Sequence, residues 1–132
     1  MKANGVRRAP APKLVVVIDD DPLVLEATGG LLRSWGFRVI TAETDAEAMT
    51  RLAGEGQRPD LIVCDYRLSE GAIGTEVIDR LRSAFEIPAL LISGDGAAPM
   101  ADSGPGSYNL LHKPLDAAKF RAALVDASVL RG

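Results

Sequence analysis

The chain has 132 residues, 47% of them hydrophobic and 25% charged, which suits a single globular domain. Its net charge of -3 removes the electrostatic case for binding nucleic acid or an anionic membrane surface. The lone cysteine, Cys64, excludes an internal disulfide framework and fits a reducing compartment, so a cytoplasmic location is expected; no apolar stretch approaches the roughly 20 residues of a membrane span.

Residues 1–12, "MKANGVRRAPAP", are polar and aperiodic and read as a flexible leader or linker, with the domain proper over 13–132. Lys2, Arg7 and Arg8 are not followed by the apolar segment of a signal peptide. "LVVVI" (14–18) is β-branched and apolar on both faces, as a central parallel strand would be. "DPLVLEATGGLLRSWG" (21–36) predicts a helix with Asp21 as N-cap, Pro22 at its first position and Gly36 past its end. Leu23, Ala27, Leu31 and Trp35 are its expected inner stripe, and the Gly29–Gly30 pair suggests close packing against a neighbour.

"FRVIT" (37–41) is a second strand. Thr44 and Glu47 form a capping box that opens a helix fading at Gly54 and Gly56. "PDLIVCD" (59–65) gives the third strand, "TEVIDRLRSAF" (75–85) a helix, and "PALLIS" (88–93) the fourth strand. "YNLLH" (108–112) is the fifth strand and "DAAKFRAALVDASVL" (116–130) the last helix. Between the fourth and fifth strands, the Gly, Pro and Ser content of 94–107 predicts a short or irregular segment where a helix belongs. Strand and helix alternate throughout, so the expected class is α/β: a doubly wound, five-stranded parallel sheet with helices on both faces. In such sheets, ligands bind at the carboxyl ends of the strands.

Four of those ends carry polar groups. The first strand runs into Asp19, Asp20 and Asp21; the third ends in Asp65, the fourth in Ser93, and the fifth runs into Lys113. The acidic triplet alone also suits a solvated loop that caps a helix. Together with Asp65 and Lys113, it reads as a site. Hard carboxylate oxygens from Asp19, Asp20 and Asp65 suit Mg²⁺ or Mn²⁺. Asp65 can then act as a nucleophile that forms an aspartyl phosphate, with Lys113 and Ser93 as cation and hydroxyl donor for phosphoryl oxygens. Asp21 reads as a cap, Cys64 as a small core residue, Trp35 as a helix-end anchor, and His112 as structural or solvent-facing. A second reading takes Asp19 and Asp21 as the nucleophile and acid/base of a haloacid-dehalogenase-type phosphatase. A third is a degenerate module that only binds partners.

"VVVIDDDPLVLEA", "PDLIVCDYRLSEGAIGTEVIDRLR", "PALLISGD" and "LLHKPLD" resemble response-regulator receiver domains of two-component signalling. The resemblance covers about residues 13–130 and implies a flavodoxin-like sheet of order 2-1-3-4-5. It implies that Asp65 takes a phosphoryl group from the phosphohistidine of a sensor histidine kinase or a histidine phosphotransfer protein. Asp19, Asp20 and the carbonyl of Arg67 would hold Mg²⁺, Ser93 would be the switch hydroxyl, and Lys113 the essential lysine before a cis peptide to Pro114. Such a domain catalyses its own phosphorylation and dephosphorylation, has no independent substrate, and can form a homodimer. "DYRLSEG" and "ISGD" look most like receivers at the C-terminus of hybrid sensor kinases. Two features depart from the pattern: Leu110 stands where receivers carry Tyr or Phe, with Tyr108 nearby, and 94–107 is poor in helix formers. Arg67 and Asp95 are expected to flank the path of hydrolytic water.

Overall fold

The computed structural model describes residues 12–56, 58–66, 68, 73–93, 109–113 and 116–127. The expectations for the leader, for 94–107, and for Arg67, Asp95, Tyr108 and the Lys113–Pro114 peptide lie outside these residues. The elements in chain order are β1 (Leu14–Ile18), α1 (Pro22–Ser34), β2 (Arg38–Ala42), α2 (Asp45–Glu55), β3 (Leu61–Asp65), α3 (Gly74–Ala84), β4 (Ala89–Ser93), β5 (Asn109–His112) and α4 (Ala117–Asp126). All strand pairings are parallel, in the order β2-β1-β3-β4-β5.

Alternation within β1 builds both core layers. Leu14, Val16 and Ile18 pack with Ala48 and Leu52 of α2 and with Val77, Ile78 and Leu81 of α3. Val15 and Val17 face the opposite layer, with Leu25 and Leu32 of α1 and Phe120 and Leu124 of α4. β1, β3 and β4 are buried along their whole length, which is why they read as continuous apolar runs rather than alternating ones.

The helix starts follow their capping signals. The Asp21 carboxylate accepts from the Leu23 N–H at 2.9 Å, ahead of Pro22. Thr44 Oγ1 accepts from the Glu47 N–H at 3.1 Å, while the Glu47 carboxylate turns back to the Glu43 N–H at 3.0 Å. The second arm of the capping box thus lands one residue before the cap. Gly56 closes α2 in the left-handed region at φ 69°, and Gly36 turns the chain after α1 at φ 92°.

The α1 stripe needs correction. Leu23 is 75% exposed and Ala27 is exposed, while Leu31 and Trp35 are half-buried and pack against the α1–α4 core layer as expected. The buried residues are Leu25, Thr28, Gly29 and Leu32. The helix turns its small residues toward β2, where a Cβ on Gly29 would lie 3.4 Å from Thr41 Cγ2 and 3.6 Å from Val39 Cγ1. The buried face thus joins Leu25 and Leu32 to the small Thr28 and Gly29. Gly30 has open space around it. Trp35 anchors the end of the helix with its ring centroid 5.8 Å from that of Phe120.

Candidate phosphoryl-transfer site

From β1 the chain goes out to β2, then returns across β1 to form β3. The strand order therefore reverses between β1 and β3, and their carboxyl ends flank the resulting crevice. Asp19 stands at one wall. Its N–H bonds the Ala42 carbonyl at 3.1 Å, one step past the β1–β2 ladder, and its Oδ1 accepts from the Asp21 N–H at 2.9 Å. Asp65 stands at the other wall as the last residue of β3, held where the next N–H, that of Tyr66, bonds the Ile92 carbonyl at 2.8 Å. Lys113 extends β5 through an N–H bond of 2.8 Å to the Ser93 carbonyl.

These backbone placements bring the side chains together. Lys113 Nζ lies 3.3 Å from Asp65 Oδ1 and 3.8 Å from Asp19 Oδ2. One carboxylate oxygen from each of Asp19, Asp20 and Asp65 falls within 4.8 Å of the others. Asp19 and Asp65 are buried and Asp20 half-buried. Ser93 is 1% exposed, and its Oγ has no hydrogen-bond partner among the described residues. His112 is exposed.

The electrostatics follow from that crowding. Burial, then the neighbouring Asp65 and Asp20 charges, push the Asp19 carboxyl up to about 6, against the pull of the Asp21 N–H and Lys113. Burial also raises the Asp65 carboxyl, with Asp20 adding to it and Lys113 opposing it. Cys64 is a core residue, as expected; burial pushes its thiol up, and the thiol donates to the Asp65 carbonyl at 3.3 Å.

Three carboxylates here face one ammonium. Hard oxygens at this spacing, two of them on buried residues, fit a small divalent cation that keeps part of its water shell. Ser93, at the end of β4 on the same edge, adds a buried hydroxyl without a partner among the described residues. Asp19, Asp20, Asp65, Ser93 and Lys113 are all brought to one edge, as the sequence predicts; Arg67 lies outside the described residues. Asp21 is not part of the cluster. It is exposed, and its carboxylate is engaged as the α1 cap, which leaves the phosphatase reading without its acid/base. The intact acidic set and lysine also speak against the degenerate module.

Gly74 was not expected to matter. It opens α3 against the backbone of Asp65, and its N–H bonds the Tyr66 carbonyl at 2.6 Å. The one signal for it in the sequence is a glycine at a helix start whose N-cap, Ile73, has no capping side chain.

Comparison with known proteins agrees with this geometry. Residues 15–125 match the response regulator receiver domain family. The phyllosphere-induced regulator PhyR of Methylorubrum extorquens is 30% identical over 114 residues, which cover 86% of this chain and 42% of PhyR. The transcriptional regulatory protein KdpE of Mycobacterium tuberculosis is 34% identical over 113 residues, 84% of this chain and 49% of KdpE. The chain thus spans less than half the length of these relatives. Among solved structures, the receiver domain of the Erythrobacter litoralis PhyR response regulator superposes with a TM-score of 0.73 at 26% identity, covering 89% of this chain and 91% of that one. These relatives are regulators, so the likeness to hybrid-kinase receivers rests on "DYRLSEG" and "ISGD" alone. By sequence, fold and the residues at its strand ends, the chain belongs to the response regulator receiver domain family.

Proposed function

We propose that Asp65 is the phosphoacceptor of a two-component relay. An Asp65 carboxylate oxygen attacks the phosphorus of a phosphohistidine on a sensor histidine kinase or histidine phosphotransfer protein. The P–N bond breaks as the O–P bond forms; the electron pair returns to the imidazole, which takes up a proton, and an aspartyl phosphate remains. Lys113 opposes the upward push of burial on the Asp65 carboxyl and places positive charge beside the incoming phosphoryl oxygens. The Ser93 hydroxyl, unengaged before transfer, donates to a phosphoryl oxygen afterwards. Asp19 and Asp20, with Asp65 and the Arg67 carbonyl, would hold Mg²⁺ or Mn²⁺, which screens the repulsion between carboxylates and phosphoryl group.

The observation that carries this reading is Lys113 reaching from the end of β5 to buried carboxylates at the ends of β3 and β1. Leu110, at the position where receivers usually carry an aromatic side chain, packs half-buried against the α2–α3 core layer. In our reading, the Ser93 contact alone therefore carries the change of state to the β4–β5 side. The receiver unit is residues 13–132, with 1–12 as leader or linker, and it works in the cytoplasm through protein partners, without direct contact to nucleic acid or membrane. No helix among the described residues is long and apolar enough to cross a membrane.

The test is incubation with acetyl phosphate and Mg²⁺, followed by intact mass and mapping of the modified residue. One phosphoryl group on Asp65, absent without Mg²⁺ and absent in Asp65→Asn, is the expected result. Modification of another residue, or equal uptake by Asp65→Asn, overturns the reading. Light scattering on the same samples shows whether phosphorylation pairs two copies.

A further inference from the structure

Gly74 occupies the first position of α3, and its conformation is not what demands a glycine. Among the described residues, positive φ occurs at Gly36 and Gly56. The demand is space. An ideal Cβ on Gly74 would lie 2.2 Å from the Asp65 carbonyl oxygen, 2.9 Å from the Asp65 carbonyl carbon and 2.9 Å from Leu91 Cδ1. The helical glycines Gly30 and Gly54, by contrast, have nothing within 4 Å of such a Cβ.

The two obstacles differ in kind. Leu91 presents the end of a side chain, which can change rotamer. The Asp65 carbonyl belongs to a central strand, paired to β4 in register with Ile92 and fixed again by the Tyr66 N–H bond to the Ile92 carbonyl. The Gly74 N–H bond to the Tyr66 carbonyl ties α3 to the same turn of chain from the other side. The start of α3 and the end of β3 are thus in direct backbone contact, and the residue at that contact is the one bearing the reactive carboxylate.

We infer that Gly74 is a positioning residue for phosphoryl transfer: its bare Cα lets α3 seat on the Asp65 peptide and so fixes where the Asp65 carboxylate stands against Lys113 and Asp19. This rests on the reading of Asp65 as phosphoacceptor. A side chain at position 74 has two ways out. It can lift α3 and lose the Gly74–Tyr66 bond, or it can push the Asp65 backbone, and the carboxylate with it, out of line with Lys113. Misplacement of a reacting group by about 1 Å can cost on the order of 10²-fold in rate.

The experiment compares the wild type, Gly74→Ala, Gly74→Ala with Leu91→Val, and the control Gly30→Ala. The maximal rate of phosphorylation by acetyl phosphate is read at saturating Mg²⁺ and expressed per folded molecule from circular dichroism. Gly74→Ala should lose about tenfold or more in that rate, an osmolyte that restores its melting temperature should not restore the rate, and Gly30→Ala should match the wild type. Leu91→Val removes the movable obstacle but not the carbonyl, so the double variant should stay slow. Recovery in the double variant would assign the effect to core packing and overturn the inference, as would a folded Gly74→Ala protein that reacts at the wild-type rate. Should Gly74→Ala not fold, the wild-type amide of Gly74 decides the matter. Exchange slowed by at least about 100-fold relative to a free amide supports seating on the Tyr66 carbonyl, and exchange at the free rate overturns it. Failure of the wild type to accept a phosphoryl group on Asp65 would overturn the functional reading instead.

Discussion

The two edges of the sheet treat polar groups in opposite ways. At the amino edge, the starts of β1 and β3 are paired. The Leu14 N–H donates to the Asp60 carboxylate at 2.8 Å and the Asp60 N–H returns to the Leu14 carbonyl at 2.7 Å. The Ile62 N–H bonds the Pro88 carbonyl at 3.1 Å, and Arg82 Nε reaches the Ile87 carbonyl at 3.0 Å. A carboxylate is half-buried there too and has a backbone donor, as Asp19 has at the other edge, but it is not crowded into a group of carboxylates. At the carboxyl edge, two buried carboxylates and a half-buried one crowd a single lysine, and a buried hydroxyl lacks a partner among the described residues. The amino edge holds the sheet together. The carboxyl edge gives up stability by crowding three carboxylates around one lysine until a ligand arrives.

The largest effect that could break this contrast is the pH dependence of metal-free stability. A carboxyl raised on folding favours the native state while protonated. The Asp19 contribution is therefore fully present below its unfolded value of 3.8 and is lost as pH rises through about 6. The window between these values corresponds to at most about 3 kcal/mol, less what solvent screens, and the raised Asp65 carboxyl acts in the same direction. Subtracting an Asp19→Asn profile, measured by urea unfolding in EDTA, isolates the Asp19 share. The wild type should lose stability relative to the variant across that window; a relative gain would contradict the contrast. The amino edge should respond in the opposite sense. Asp60→Ala leaves the Leu14 N–H without its acceptor, so it should cost about 2 kcal/mol in urea while phosphoryl uptake per folded molecule stays the same. A loss of uptake would mean that the edges are not separable. The smallest change is Ser93→Ala, which removes a buried hydroxyl that has no partner among the described residues and should gain about 1 kcal/mol. A loss would reveal a partner for Ser93.

Legibility in the sequence divides along local and tertiary lines. Asp21 with Pro22, and Thr44 with Glu47, announce their helices because capping chemistry acts within a few residues. The strands are legible because β-branched runs buried on both faces have few other uses. The site is legible because strand ends in a parallel sheet share one edge, so Asp19, Asp65, Ser93 and Lys113 could be gathered without knowing any distance. The α1 stripe was legible only at its end: Leu31 and Trp35 pack on the core, but in the first turns Leu25, Thr28 and Gly29 are buried in place of Leu23 and Ala27, and four-residue steps do not choose between those faces. Gly74 was barely legible, since a glycine at a helix start says little by itself. Its importance lies in the Asp65 carbonyl beside it, nine residues earlier in the chain, and no local pattern encodes that contact.

The most direct test of the trade between stability and reactivity is the unfolding free energy of the wild type and Asp20→Asn as Mg²⁺ is raised from zero. A cation that binds the native cluster stabilises it in proportion to the logarithm of its concentration above the dissociation constant. The account predicts that Asp20→Asn is the more stable protein in EDTA, by on the order of 1 kcal/mol, and that Mg²⁺ raises the wild type past it while leaving the variant nearly unchanged. A variant less stable in EDTA, or a wild type indifferent to Mg²⁺, would contradict it.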